Sequence, residues 1–278
     1  MSSGAESTFY AALSPHYDGL FRCSDSLVEL IVDLVRPTSR SEEGRRVESG
    51  QADAPPKVLD VACGTGGCTR ALVSRGVDAV GVDLSQRMIR RARELAAGRD
   101  VDPERFSVGD MLEVDAHPHA PVDLLFSVGN SISHLTSVAA VERFLAAAAR
   151  ALGARPAVAR QTAEESRSGT GALVLQYVAA ETIEPGTTHR LPDLEAPGVR
   201  MERRYHREDA DTIRFDAALV VDAQEPVRLS QRLLVIGDEE LEEALVRAGY
   251  RGVERYGGFD RSPAGPGVGA RVVLARRP

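Results

Sequence analysis

A glycine-rich loop preceded by a carboxylate is the part of this sequence best suited to hold a charged small ligand. The loop reads DVACGTGG over residues 60–67, between an apolar run typical of a buried strand and a segment typical of a helix. Glycine at Gly64 and Gly66 lets the backbone turn sharply and approach a ligand closely. The start of the helix that follows would offer free backbone N–H groups.

Two further carboxylates follow the next two predicted strands. Asp83 ends the strand at 79–82, where an acid can accept hydrogen bonds from both hydroxyls of a ribose. Asp110 follows the short strand at 106–108 and stands where it could accept from an adenine amino group. Met88 could cover the adenine face. These residues together indicate an adenosine-containing ligand.

The spacing within the loop separates two classes of adenosine cofactor. Dinucleotide enzymes favour G-x-G-x-x-G, whereas Thr69 holds the third glycine position here. Asp60 stands four residues before Gly64, and a carboxylate there suits a ligand whose amino-acid end carries an ammonium. The pattern favours S-adenosylmethionine, which is converted to S-adenosylhomocysteine, and leaves a nicotinamide oxidoreductase as a distant alternative.

The elements that would position these residues alternate between strand and helix from residue 57 to residue 178, which predicts a parallel sheet with helices on both faces. Beyond residue 199 the alternation stops, and three antiparallel strands are expected at 200–207, 212–222 and 227–236. We therefore expect an α/β fold with a Rossmann-like, doubly wound, seven-stranded and mostly parallel sheet. An N-terminal helical segment and an antiparallel three-stranded cap would complete it.

We expect the chain to form a single domain over residues 1–278. Its expected parts are a helical lid at 1–37, a Rossmann-like core at 56–181 and 237–278, and a cap insertion at 182–236. The polar segments 38–56 and 153–171 are interpreted as surface loops.

Composition and charge exclude several classes of partner. The 278 residues include 34 basic and 41 acidic side chains, a net charge of -7, which argues against binding to nucleic acid or an anionic membrane. No apolar run is long enough to span a bilayer, and we expect no secretory signal. The expected partner is a small-molecule acceptor, with a homo-oligomer left open.

The cysteines suggest neither a disulfide framework nor a zinc site. They are Cys23, Cys63 and Cys68, an odd number without a C-x-x-C pair. We therefore expect free thiols in a reducing, cytoplasmic compartment. His117 and His119 have no third ligand nearby in sequence, so no metal site is expected.

These residues resemble those of class I S-adenosylmethionine-dependent methyltransferases. The stretch VLDVACGTGGCTRALVSRGVDAVGVDLSQRMIRRA is close to the form of glycine N-methyltransferases and related glycine/sarcosine enzymes. The block GNSISHL at 129–135 looks like their G-N-S-x-x-H-L, and the N-terminal YDGLF at 17–21 is also similar. So is the C-terminal pattern of antiparallel strands, one helix and a hairpin.

The resemblance implies a role for each matching residue. The glycine loop would pass under the methionine part of the cofactor, Val128 and Asn130 would line the floor beside the sulfonium, and Tyr17 would close over the cofactor. The full expected cofactor site is Tyr17, Asp60, Ala62, Gly64, Thr65, Gly66, Asp83, Leu84, Met88, Asp110, Met111, Val128 and Asn130.

One departure from the family pattern concerns the acceptor. After the fifth strand the glycine enzymes have a polar H-R-N type segment that helps bind the amino acid, whereas this chain reads QYVAA over residues 176–180. The more apolar segment argues against glycine itself and favours a larger or more apolar acceptor.

Three side chains are candidates for the chemistry, namely His134 after the fourth strand, Tyr17, and Tyr177 at the end of the fifth strand. We expect methyl transfer by in-line displacement, with nitrogen favoured as the acceptor atom. A C-methyltransferase acting on an indole or prenyl-type substrate is the alternative, and a non-catalytic S-adenosylmethionine-binding module is a further one.

The first predicted cap strand is rich in arginine, at Arg200, Arg203, Arg204 and Arg207. We interpret it as a solvated charged strand, with recognition of a carboxylate or a diphosphate on the acceptor as the alternative.

Overall fold

The computed structural model describes residues 9–35, 55–153, 171–222, 224–265 and 269–277. The two expected surface loops lie almost wholly outside these described residues. The ends of the expected lid, at 1–8 and 36–37, also lie outside them.

The described strands form two sheets. They are β1 Lys57–Val61, β2 Asp78–Asp83, β3 Phe106–Val108, β4 Leu124–Ser127, β5 Ala172–Val178, β6 Thr188–Ala196, β7 Val199–Arg207, β8 Thr212–Val221, β9 Val227–Leu234, β10 Arg251–Tyr256 and β11 Ala270–Arg276. The first sheet has seven strands in the order β10-β11-β5-β4-β1-β2-β3. Strands β1 to β5 pair in parallel, while β11 runs antiparallel to β5 and β10 antiparallel to β11. The predicted seven-stranded, mostly parallel sheet is confirmed.

Helices cover both faces of this sheet. They are α1 Tyr17–Leu20, α2 Asp25–Val35, α3 Gly67–Val73, α4 Gln86–Ala97, α5 Val138–Ala151 and α6 Asp238–Arg247, and residues 9–13 are also helical. Helix α5 packs its small alanines and Phe144 on one face of the sheet, beside Leu173. Helix α2 packs Ile31 on the other face, beside Phe126. Strand β4 is buried at all its positions because both of its faces are covered.

The second sheet, which we call the cap sheet, is antiparallel and has the strand order β6-β7-β8-β9. It has four strands where the sequence predicted three. The missed strand, β6, is an edge strand that contains Pro192 and has no fully buried residue. Proline and charged residues weaken the apolar alternation by which a strand is recognised, and both are common at sheet edges.

The cysteine prediction is wrong for two of the three thiols. Cys23 and Cys68 form a disulfide, and Cys63 is free. Cys23 lies just before α2 and Cys68 lies at the start of α3, so their pairing depends on how these two helices pack. Their separation of 45 residues carries no local signal of this packing.

No helix among the described residues is long and apolar enough to cross a membrane. The described part of the chain also holds no group of three or more His, Cys, Asp or Glu residues arranged to bind a metal. The two histidines of the 117–119 segment instead lie against Ser107 and the Asp78 carbonyl.

Candidate active site

The glycine loop after β1 adopts a conformation that ordinary side chains would resist. Gly64 and Gly66 have φ angles of 57° and 74°. A Cβ on Gly66 would lie 2.2 Å from the Phe106 ring, so no other residue fits there without displacing the core. The Gly64 N–H donates to Asp83 Oδ2 over 2.9 Å, which joins the loop to the end of β2. Phe106 and Asp83 thus hold the loop in this conformation.

Asp60 is a buried carboxylate at the end of β1, with a side chain 2% exposed. Its Oδ2 accepts a hydrogen bond from Thr69 Oγ1 at 2.7 Å. Burial raises the pKa of this carboxyl to about 7, although the bond from Thr69 opposes the shift. A buried carboxylate that lines a cavity and has no cationic partner among the described residues is well placed to bind an ammonium group.

Asp83 lies beside the loop at the end of β2. Its carboxylate accepts from Gly64 N and from Ser85 N at 2.8 Å, and burial raises its pKa. The next residue, Leu84, is 73% exposed, so the chain opens to solvent here. Each Asp83 oxygen therefore already has one backbone donor.

The residues predicted to meet the adenine lie on either side of this opening. Asp110 Oδ1 accepts from Leu112 N at 2.9 Å and begins the 3-10 helix Met111–Ala116. Met88 is only 4% exposed and packs within helix α4. Asp110 and Met111 are partly exposed to solvent, whereas Met88 is part of the core.

The N-terminal segment is fastened onto the glycine loop by two adjacent residues. The Tyr17 ring lies over Gly64, whose added Cβ would come 3.0 Å from Tyr17 Cε1. Asp18 accepts hydrogen bonds from the Thr65 hydroxyl and from the Arg70 guanidinium. Burial, together with nearby Asp83, raises the pKa of the Tyr17 hydroxyl, so it stays protonated. Tyr17 therefore covers the loop at the cofactor side.

The Asn130 side chain connects the other end of the site to three neighbouring elements. It follows β4 with φ at 65°, in the left-handed region. Its Oδ1 accepts from Ser133 Oγ at 2.8 Å and from Val178 N at 3.1 Å, and its side chain also bonds with Tyr205 of the cap sheet. The Gly129 N–H donates to Gln176 Oε1 at 2.9 Å.

His134 ends the 3-10 helix Ser131–His134 and faces the same cavity. Its Nδ1 lies 3.2 Å from Nε2 of Gln231 on β9, so this amide influences which ring nitrogen carries the proton. The ring is exposed at the cavity, and the protein groups around it lower its pKa by desolvation. His134 is therefore neutral at neutral pH, with its proton on Nε2 and its one acceptor nitrogen, Nδ1, facing the Gln231 amide.

Tyr177 does not reach the cavity, contrary to the sequence prediction. Its side chain is fully buried and its hydroxyl donates to Asp238 Oδ1 of α6 at 2.5 Å. Successive side chains of a strand point to opposite faces, so the cavity-facing neighbour is Gln176. The sequence placed the strand end correctly but selected the residue on the wrong face.

A cavity of about 710 Å³ connects these groups. This volume lies within the range of about 300 to 1,000 Å³ typical of small-ligand pockets. Of the predicted site residues, the lining includes Tyr17, Asp60, Ala62, Thr65, Val128, Asn130 and His134. Gly64, Gly66, Asp83, Leu84, Met88, Asp110, Met111 and Tyr177 are not among the described residues that line it.

The cap sheet supplies the opposite wall of the cavity. Its contribution is mostly apolar and consists of Met201, Arg203, Tyr205, Phe215, Leu229 and Leu233. Sequence reasoning expected a cap and named Arg203, but it did not identify the apolar lining residues, because the pairing of β7, β8 and β9 brings together residues far apart in the chain. It also missed Asp18, although the Tyr-Asp pair lay within a recognised motif.

Comparisons with known proteins agree with this geometry. Residues 58–154 match the family model for a methyltransferase domain. A search of the curated proteins gives no match.

Solved structures with a similar fold extend over nearly the whole chain. An S-adenosylmethionine-dependent methyltransferase from Clostridium acetobutylicum has a TM-score of 0.69 at 16% identity, covering 97% of this chain and 99% of that chain. The CcbJ methyltransferase from Streptomyces caelestis has a TM-score of 0.68 at 20% identity, covering 94% and 95%. A sugar N-methyltransferase from Streptoalloteichus has a TM-score of 0.62 at 23% identity, covering 94% and 90%.

These comparisons support the predicted cofactor, S-adenosylmethionine. The chain therefore has the fold of S-adenosylmethionine-dependent methyltransferases and carries, over residues 58–154, a segment that matches the methyltransferase domain family.

Proposed function

We propose that this protein is an S-adenosylmethionine-dependent methyltransferase that methylates a nitrogen atom of a small-molecule acceptor. The observation that carries the proposal is the buried carboxylate of Asp60, which lies beside the glycine loop and lines the same cavity as Asn130 and His134. Cofactor and acceptor would meet inside this cavity.

The residues of the loop fit the cofactor chemically. Asp60 would pair with the ammonium of the methionine part, because a buried carboxylate of raised pKa gains most from a cationic partner. Asp83 would accept from the ribose hydroxyls, with Leu84 and Met88 beside it. Asp110 and Met111 would face the adenine, while Val128 and Asn130 would form the floor near the sulfonium.

The bound cofactor supplies an electrophilic methyl group on its sulfonium. The protein's part is to hold the acceptor atom on the axis of the breaking bond and to keep water out, which accounts for much of the rate in such displacements. Tyr17 covers the cofactor side, and the cap sheet covers the acceptor side. We accordingly propose a single domain in which residues 1–37 act as a lid and 182–236 as a cap.

An amine must be uncharged to attack the methyl group. His134 is neutral at neutral pH because desolvation lowers its pKa, and its Nδ1 can take a proton from the acceptor ammonium once the acceptor displaces the Gln231 amide. Gln231 orients its ring from the cap side. The similarity to a sugar N-methyltransferase also favours nitrogen, as does the GNSISHL block.

The test uses S-adenosylmethionine with a carbon-13 methyl group, incubated with the purified protein and pooled amino acids, amino sugars, indoles and prenyl diphosphates. Carbon NMR distinguishes methyl groups on nitrogen, oxygen and carbon. We expect a new N-methyl signal together with S-adenosylhomocysteine. A C-methyl signal would contradict nitrogen as the acceptor atom, and cofactor binding without any product would favour a binding module.

A further inference from the structure

We propose that Arg203 binds a carboxylate of the acceptor, so that the substrate is an amine that also carries an acid group. This inference rests on the proposed methyltransferase function and names the substrate class of the same cavity. It revises our interpretation of the arginine-rich strand as solvated.

Arg203 lies on the inner face of β7, between Met201 and Tyr205, which point the same way. It pairs across the sheet with Ala217 of β8. The side chain of Ala217 is a single methyl group, so it fills little of the space beside Arg203. Arg203 lines the cavity together with the apolar side chains of the cap sheet. It is thus a half-buried cation in a largely apolar wall.

The hydrogen bonds of Arg203 are incomplete. Its Nη2 donates to the Pro192 carbonyl at 2.9 Å, while its Nε is buried and has no hydrogen-bond partner. Among the described residues no carboxylate lies within 4.0 Å of its nitrogens, although Asp193 is near enough to act on it electrostatically. A buried donor without a partner is costly, and an anionic ligand oxygen would remove that cost.

The other inward or partly buried arginines of the cap sheet differ in this respect. Arg207 donates to the carbonyls of Ala180, Asp209 and Ala210. Arg214 forms ion pairs with Glu208 and Asp216. Within the described cap sheet, Arg203 therefore stands out as a cavity-facing cation whose donors the protein has not satisfied.

The distance along β7 from Arg203 to Tyr205 is comparable to the length of a small amino acid. Tyr205, which bonds with Asn130 near the expected sulfonium, is two residues along the same strand, a spacing of about 7 Å. A molecule of a few carbon atoms can thus place its amine near Asn130 and its acid on Arg203. One guanidinium matches one carboxylate as a planar pair, whereas a diphosphate needs more donors than this wall offers.

The experiment compares Arg203→Met and Arg203→Lys with Arg204→Met, which removes the neighbouring arginine on the outer face of the same strand. Leucine, phenylalanine and γ-aminobutyrate are each tested beside their amides and their decarboxylated amines, and a nucleoside-diphosphate amino sugar is added. The release of S-adenosylhomocysteine gives kcat/KM, and calorimetry gives the affinity for S-adenosylhomocysteine.

We expect the wild type to prefer an acid over its amide, and Arg203→Met to lower kcat/KM on that acid by about 10- to 100-fold, the range of one charge-assisted hydrogen bond. Arg203→Lys should fall between the two, which covers the case in which Arg203→Met does not fold. Arg204→Met should equal the wild type, and affinity for S-adenosylhomocysteine should not change in any variant.

Equal activity of wild type and Arg203→Met on acids would overturn the inference, as would methylation of neutral amines alone. A preference for the diphosphate sugar that depends on Arg203 would overturn the carboxylate assignment. If the wild type neither binds S-adenosylhomocysteine nor methylates any compound, the proposed methyltransferase function itself fails.

Discussion

The cofactor side and the cap side of the site differ in how completely their polar groups are hydrogen-bonded. On the cofactor side, Asp60, Asp83 and Thr65 each have a hydrogen-bond partner within the protein. On the cap side, Arg203 Nε and Gln231 Oε1 are buried without one. The polar groups on the cofactor side are thus already hydrogen-bonded without a ligand. The cap side, in contrast, has a donor and an acceptor with no hydrogen-bond partner in the protein. This contrast suggests that the acceptor supplies the missing hydrogen bonds on the cap side.

The strongest test of the preformed cofactor side is Gly66→Ala. A methyl group there would meet the Phe106 ring at 2.2 Å and would strain a backbone with φ at 74°, so we expect a loss of about 3 to 4 kcal/mol in the free energy of unfolding. Urea denaturation measures it. Gly76→Ala is the matched control, since Gly76 has φ at 79° but open space around it, and it should cost only about 1 kcal/mol. Equal losses would show that Phe106 does not confine the loop.

The next largest effect concerns His134 and catalysis. His134→Gln should lower kcat on an amine by about 100-fold, the range for loss of a general base, without changing affinity for S-adenosylhomocysteine. Because burial lowers the pKa of His134, the wild-type rate should fall only at pH values below the ordinary range of histidine. The variant should lack this fall. An unchanged pH profile would assign His134 a purely structural role.

Two substitutions, one on the cofactor side and one on the cap side, compare the stability contributed by the polar groups of the two sides. Thr69→Val removes the hydroxyl that donates to Asp60 and leaves this buried carboxylate with only the Thr69 backbone N–H as a donor, which should destabilise the protein by about 1 to 3 kcal/mol. Gln231→Leu removes both the exposed hydrogen bond to His134 and an Oε1 that has no partner, and these two effects oppose each other, so stability should change by less than about 0.5 kcal/mol. Thermal unfolding of both variants gives the answer. A larger cost for Gln231→Leu would contradict the contrast between the two sides.

The smallest effect is the pH dependence of cofactor binding. The pKa of Asp60 is raised to about 7 and the cofactor's ammonium binds the ionised form, so affinity should rise with pH up to about 7 and level off above it. From pH 8 to pH 6 we expect roughly a tenfold loss, one pKa unit of free energy. Calorimetry with S-adenosylmethionine checks this, and Asp60→Asn should bind weakly at both pH values. A flat wild-type profile would remove Asp60 from the ammonium site.

Local patterns in the sequence were sufficient for the main sheet and the glycine loop. Buried parallel strands are short apolar runs, and the loop places its glycines between a strand and a helix, so each signal lies within about ten residues. The acids after β2 and β3 follow from the same alternation.

Features that depend on packing between distant segments were missed. The Cys23–Cys68 disulfide depends on how α2 meets α3, and the cavity wall depends on the pairing of β7 with β8 and β9. Tyr177 was misassigned because the face of a strand on which a residue lies depends on register, and a shift of one residue reverses it.

The disulfide also changes the covalent topology of the chain. Residues 23 to 68 form a closed ring, and its disulfide joins the lid, just after Tyr17, to the end of the glycine loop. A single peptide-bond cut anywhere within the ring would leave both fragments joined. Such a nicked molecule would run as one species in a gel without reductant and as two species with it, and Tyr17 would remain attached to the piece that carries the glycine loop.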